Sequence, residues 1–288
     1  MRNITTVLQI TLCDLMEAAY FYLKHNNMRW TLTLTIFYIA LTSVLAQEAS
    51  APEKSFHLKL GTGVALQTVK DDAMSPLTYD GTQIAFQTGG EWRVPKGLHR
   101  VDALFWLGEA SAESGRTTEN YTFAINGGYL HRISKPETVW NLHLGGMITT
   151  WGSFRDHQSL INSDFFYDLF FSIGPSAAVE RNFRFLKREW ILGWQLTVPA
   201  LTYGVRPNYS GLDNVPPDED GFQGWEDAQI GSFDMLQNIK SRIELAYPLK
   251  NGNRLGLMYY WDFFNADIEP HAVQQSIQSV QFNLHFKF

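Results

Sequence analysis

From Ser55 to the C-terminus the chain alternates apolar and polar residues in run after run. Ten period-2 segments stand out, at about 55–69, 82–94, 98–110, 121–133, 138–151, 166–181, 189–204, 235–248, 255–264 and 274–288. Successive side chains of a strand point to opposite faces, so each segment presents one apolar and one polar face. Each is long enough to cross a bilayer as a tilted strand. No run of about 18 apolar residues follows position 46, so no helix is expected to span a membrane. The pattern predicts an all-β transmembrane antiparallel up-and-down β-barrel of about ten strands, or eight or twelve if a hairpin is miscounted. Pro175 and Pro199 fall inside segments and predict bulges or weakened pairing.

The connections between segments alternate in length. The short ones are Pro95-Lys96-Gly97, Ser134-Lys135-Pro136-Glu137, the bend at 183–188 and Lys250-Asn251-Gly252-Asn253-Arg254. The long ones run over about 70–81, 111–120, 152–165, 205–234 and 265–273. Membrane barrels sort their connections in this way, with tight turns on one side and long loops on the other. Aromatics gather at both segment ends: Trp92, Trp140, Trp190 and Tyr247 toward the turns, Tyr121, Trp151, Tyr203 and Trp261 toward the loops. Two such bands fit the two interfaces of a bilayer.

The chain ends Phe282-Asn283-Leu284-His285-Phe286-Lys287-Phe288, with Phe282, Leu284, Phe286 and Phe288 on one face and charge or amide on the other. This ending resembles the terminal strand of Gram-negative outer-membrane β-barrels, and the resemblance covers the whole chain after Ala46. It implies an integral outer-membrane location, periplasmic turns, outer-membrane lipid around the wall, and the C-terminal aromatics as the signal read by the barrel assembly machinery. The Ala46-Gln47 junction and aromatic-rich strands are similar to chains from the Bacteroidota.

Upstream, Met28-Arg29-Trp30 precedes an apolar run ending Val44-Leu45-Ala46, which predicts a signal peptide over 28–46 cleaved after Ala46. Asp14 and Glu17 interrupt residues 1–27, which therefore read as an upstream extension; 47–54 reads as a short periplasmic N-terminal segment. The sole cysteine, Cys13, lies in that extension, leaving no disulfide, thiolate metal site or lipoprotein anchor downstream of Ala46. Formal charge is −6 for the chain and −7 without residues 1–46, since Arg2, Lys24, Arg29, Asp14 and Glu17 leave together. That balance excludes a nucleic-acid partner.

The polar face is expected to line the lumen and to pair its charges: Lys59, Glu91, Arg93, Arg100, Asp102, Arg132, Glu180, Lys240, Arg242, Glu244 and Asp262. Both signs are present in similar number, which favours a non-enzymatic barrel acting as scaffold, surface-interaction protein or occluded channel over a porin-like small-solute pore. A third reading is a hydrolase at the outer rim. By strand count alone the chain resembles the omptin proteases, and Asp156, His157 and His271 are then the catalytic candidates. A lipid-acting enzyme needs a Ser–His pair facing lipid; His131 is the only strand histidine expected to face outward, beside Ser134. Loop 205–234 carries an acidic run in which Asp218 and Asp220 are metal candidates, and its Tyr209, Phe222 and Trp225 suit a protein partner. No cofactor motif is present.

Overall fold

A computed structural model describes residues 55–135, 138–157, 165–206, 228–267 and 271–288. The expected leader, signal peptide and short N-terminal segment lie outside these residues, as does most of loop 205–234. Among these residues there are twelve strands: β1 (Ser55–Asp71), β2 (Ser75–Val94), β3 (Gly97–Ser111), β4 (Thr117–Arg132), β5 (Trp140–Asp156), β6 (Phe165–Phe185), β7 (Arg188–Thr197), β8 (Leu201–Val205), β9 (Gln229–Gly231), β10 (Leu236–Pro248), β11 (Arg254–Ala266) and β12 (Val273–Lys287). Each pairs antiparallel with its neighbours, and β1 pairs with both β2 and β12, closing a barrel of ten staves. β8 continues the stave begun by β7, and β9 the one completed by β10, so the two extra strands are interruptions within staves.

Following the ladder once around from Ser55, through Arg93, Leu98, Leu130, Gly145, Ser176, Thr197, Lys240, Asp262 and Ile277, returns to β1 at Gln67. That offset sets the stagger of the barrel and corresponds to a strand tilt of roughly 40°. With strands about 4.8 Å apart, ten such staves enclose a backbone cylinder of roughly 10 Å radius, which inward side chains from opposite walls can fill.

Proline explains the break between β7 and β8. Ser176 faces Thr197 and Ile173 faces Leu201, so the β7–β8 stave carries one extra residue across Val198-Pro199-Ala200. This is a β-bulge, and it inverts the inward–outward phase along β8 relative to β7. Gly174 makes room: a Cβ there would run into the Val198 carbonyl and lie 2.7 Å from the Pro199 Cα. Pro175 stays in the ladder opposite Gly146.

The first expected long loops are shorter than their sequence suggests. β1 and β2 pair until Asp71 and Ser75, and β3 and β4 until Ser111 and Thr117. Meanwhile the β4–β5 connection, 133–139, outgrows the Asp72–Met74 turn. Polar outward positions such as Lys70, Thr78 and Asp80 let the ladder continue in water beyond the apolar belt. That belt is carried by outward residues such as Val64, Leu66, Val101, Ile148, Leu201 and Leu257, each at least 40% exposed. A closed wall that is apolar outside and polar or aromatic inside is the architecture of a transmembrane β-barrel.

Candidate functional site in the barrel interior

Along β1 the inward residues pass through three environments: Lys59 among charges, Ala65 and Val69 among apolar side chains, and Asp71 in a second charged cluster.

The first charged layer lies toward the termini, where the Phe288 amide bonds the Phe56 carbonyl. Arg93 forks onto Glu180 through two 2.7 Å bonds and reaches Glu91 at 2.7 Å. Arg100 takes the other oxygen of Glu91 at 2.6 Å and also bonds Gln195. Lys59 sits between Glu244 at 3.4 Å and Asp102 at 3.6 Å, while Arg242 reaches Asp102 at 2.9 Å and His285 reaches Glu244 at 2.6 Å. Lys240 pairs with Asp262 at 2.6 Å, joined by the Tyr260 hydroxyl at 3.1 Å. Arg132 faces inward on β4 and bonds Asn141. Each of Glu91, Asp102, Glu180, Glu244 and Asp262 thus meets at least one cation, and the contacts cross-link staves distant in sequence. Bidentate geometry of the Arg93–Glu180 kind offsets desolvation most effectively.

Between the charged layers lies an aromatic and aliphatic cluster, interleaved with Gln67, Gln83 and the Lys240–Asp262 pair, which the lumen charges of the sequence do not predict. Trp106 stacks on Tyr260 with ring centroids 5.6 Å apart; Trp151 meets Phe264 edge-on at 4.3 Å and Phe170 at 5.5 Å. Leu104, Met258 and Ile277 complete a buried cluster that spans the lumen. Trp151, a candidate for the loop-side girdle, is 3% exposed and points inward, in phase with His143 on the same strand. Trp92 and Trp140 are exposed on the outer face, 42% and 43%.

The second charged layer closes the far end. Arg155 Nη2 lies 2.6 Å from Asp71 and 2.5 Å from Asp168; Arg206 lies 2.6 Å from Asp168 and completes the ring on Asp71. None of the four side chains exceeds 4% exposure. β1, β5, β6 and the segment after β8 supply one residue each. Asp71, Arg155 and Asp168 follow the same phase as Lys59, His143 and Glu180, so extending the alternation past the expected strand ends finds them. Arg206 is turned inward by the bulge at Pro199, the one signal of its place in the sequence.

Beside this ring, the buried Tyr79 hydroxyl lies 2.8 Å from His157 Nε2. Burial pushes the His157 imidazole below its ordinary pKa, with Arg116 adding to the effect and Asp156 opposing it. Asp156 follows the opposite strand phase from His157. His271 is half-buried in the β11–β12 connection, beside Ala272, whose carbonyl accepts from the Asp72 amide. Asp218 and Asp220 lie outside the described residues; among those described, no group of three or more acidic, His or Cys side chains is placed to hold a metal ion.

On the outer wall, Phe282 and Phe288 are 45% and 65% exposed, whereas Leu284 and Phe286, in the same phase, are covered. His131 is not the only outward strand histidine: His99 also faces out and packs on Tyr129 at 4.6 Å. Ser134 bonds Arg132 and the Leu142 amide, and forms no Ser–His pair there.

No family model matches the sequence, and no curated protein matches it at a significant level. Among solved structures the fold is similar to the outer-membrane protease OmpT from Escherichia coli, at 7% identity over 84% of this chain and 99% of that one, TM-score 0.42. It is similar to the translocator domain of the autotransporter NalP from Neisseria meningitidis, at 8% identity over 91% and 98%, TM-score 0.43. Neisserial surface protein A aligns at 10% identity over 82% and 100%, TM-score 0.34. Such distances carry no argument about chemistry, and the barrel assignment rests on the strand pairing itself.

Proposed function

We propose that the chain is a non-enzymatic integral barrel of the outer membrane with an occluded lumen, serving as a scaffold or surface-interaction protein. The observation that carries this reading is the filled interior. An ion entering from either end meets charges that are already paired, including Lys240–Asp262, and then the close-packed rings of Trp106, Trp151, Phe170, Tyr260 and Phe264, which offer it no replacement for water. A conducting pore is generally biased to one sign of charge and keeps an aqueous path.

The expected export signal at 28–46, removal of residues 1–46, assembly through Phe288 and a partner for loop 205–234 belong to the same proposal. Planar-bilayer recording on purified wild-type protein tests its core. The expected result is heat-modifiable, folded protein that adds no stable conductance. Reproducible stepwise currents from the unmodified protein would replace this reading with the small-solute pore.

A further inference from the structure

The β6–β7 hairpin projects past its neighbours. β5 stops pairing with β6 at Trp140–Arg181, and β10 stops pairing with β7 at Ala246–Ile191, yet β6 and β7 pair with each other to Phe185–Arg188. Residues 182–190 therefore extend roughly 13 Å along the strand direction beyond the rim, at about 3.3 Å per residue. The tip is Leu186-Lys187, both with positive φ of 50° and 64°. Two-residue hairpin turns with that geometry favour Asn and Gly, and neither residue here is one. Leu186 is also 78% exposed.

The hairpin's composition departs from that of the chain. It bears Arg181, Arg184, Lys187 and Arg188 against Glu189, in a protein of net charge −6. Its outward face, set by Arg181 opposite Trp140, carries Arg181, Phe183 and Phe185, with Trp190 opposite Phe183 and Arg188 opposite Phe185. Both outward guanidiniums lie on aromatic rings. Arg181 is 4.9 Å from the Trp140 centroid, and Arg188 is 5.5 Å from Tyr247 while donating to its hydroxyl at 2.9 Å. Arg188 thus spends one N–H on Tyr247, and each guanidinium held over a ring retains further N–H donors for a planar or tetrahedral anion. The aromatics are continuous with the band of Trp140, Trp190 and Tyr247 at this end of the wall.

We propose that this hairpin is a binding site for anionic phospholipid headgroups in the periplasmic leaflet, with Arg181 and Arg188 holding lipid phosphate and Phe183, Phe185 and Leu186 bedded among the headgroups. The proposal rests on the outer-membrane reading above. Headgroup burial gives the exposed apolar tip a non-aqueous environment, and charge complementarity selects anionic over zwitterionic lipid.

Native mass spectrometry of the full-length protein tests it. The purified protein is equilibrated in detergent with equal phosphatidylglycerol and phosphatidylcholine, and retained lipids are counted. Wild type is expected to retain phosphatidylglycerol preferentially, with the preference falling as salt rises. Arg181→Gln with Arg188→Gln is expected to lower phosphatidylglycerol retention by about fivefold per residue, the scale set for a cation at an anionic surface. Lys70→Gln, which removes an exposed cation at the opposite end of the wall, is expected to leave retention unchanged. Equal retention of both lipids by wild type, or undiminished preference in a folded double variant, overturns the proposal. If the double variant does not fold, the wild-type salt titration decides alone. Failure of wild type to show a heat-modifiable barrel would instead overturn the outer-membrane reading, a distinct result.

Discussion

Replacing Arg206 by methionine separates a ring that determines stability from one that merely fills space. Methionine keeps much of the apolar stem volume but removes the fork that meets Asp168 at 2.6 Å and also bonds Asp71. Two buried carboxylates, each 0% exposed, are then left to share Arg155, so the cluster gains an uncompensated negative charge. Stranding one member of a buried ion pair costs about 3–5 kcal/mol. Unfolding in urea from lipid vesicles, followed by tryptophan fluorescence and heat-modifiable migration, reads that loss. A drop of about 3 kcal/mol lowers the folded-to-unfolded ratio by roughly 150-fold. The companion variant Arg206→Met with Asp168→Leu removes one charge of each sign and is expected to recover at least half of the loss, a coupling that only interacting residues give. A loss below about 1 kcal/mol for the single variant, or a double variant whose loss is the plain sum of two singles, would refute the ring as a cross-link between β1, β5, β6 and the end of β8.

Two further outcomes test other parts of the interior. His157 is held neutral by burial, so its folded pKa lies below its unfolded one; stability is complete above the ordinary imidazole value and declines as pH falls through it, and His157→Gln is expected to flatten that slope in vesicle unfolding. Gly174→Val drives a side chain into the Val198 carbonyl and Pro199, so folded yield is expected to fall sharply, while Gly115→Val, at a turn with open space around the site, loses only what its positive φ imposes.

How far the sequence reveals this arrangement depends on what pins the phase of each strand. On β3, Arg100 and Asp102 identify the inward face without ambiguity, and the structure places both among the paired charges. Four residues further, Leu104 and Trp106 face inward while Ala103, Phe105 and Leu107 face out, so hydropathy no longer distinguishes the sides and only the phase inherited from Asp102 does. Trp151 escapes a hydropathy reading for that reason: an aromatic near a strand end satisfies a girdle and a lumen equally, and His143 decides between them. Arg206 is hidden more deeply, because a single extra residue at Pro199 inverts the alternation that every earlier strand obeys. The terminal-side network is legible because ion pairs across a lumen must place charge at period two.

The aromatic cluster and the two charged layers also have a joint physical consequence. Charges near either mouth are within reach of water and can be paired there at tolerable desolvation cost, whereas a charge at mid-height would be remote from both mouths. At mid-height the barrel packs aromatic rings around one satisfied pair, Lys240–Asp262, with Asp262 between Tyr260 and Phe264 on β11 and also bonded by Asn238 and the Tyr260 hydroxyl, so the rings stabilise the wall by burial while the charges are met within it. Replacing rings by charges at mid-height would therefore be expected to cost stability and to admit water together. If the lumen is occluded as proposed, sealing and stability are in this sense one property of the interior, and a variant that opened the lumen without weakening the barrel would contradict a dual role of Trp106, Trp151 and Phe264 as packing core and seal.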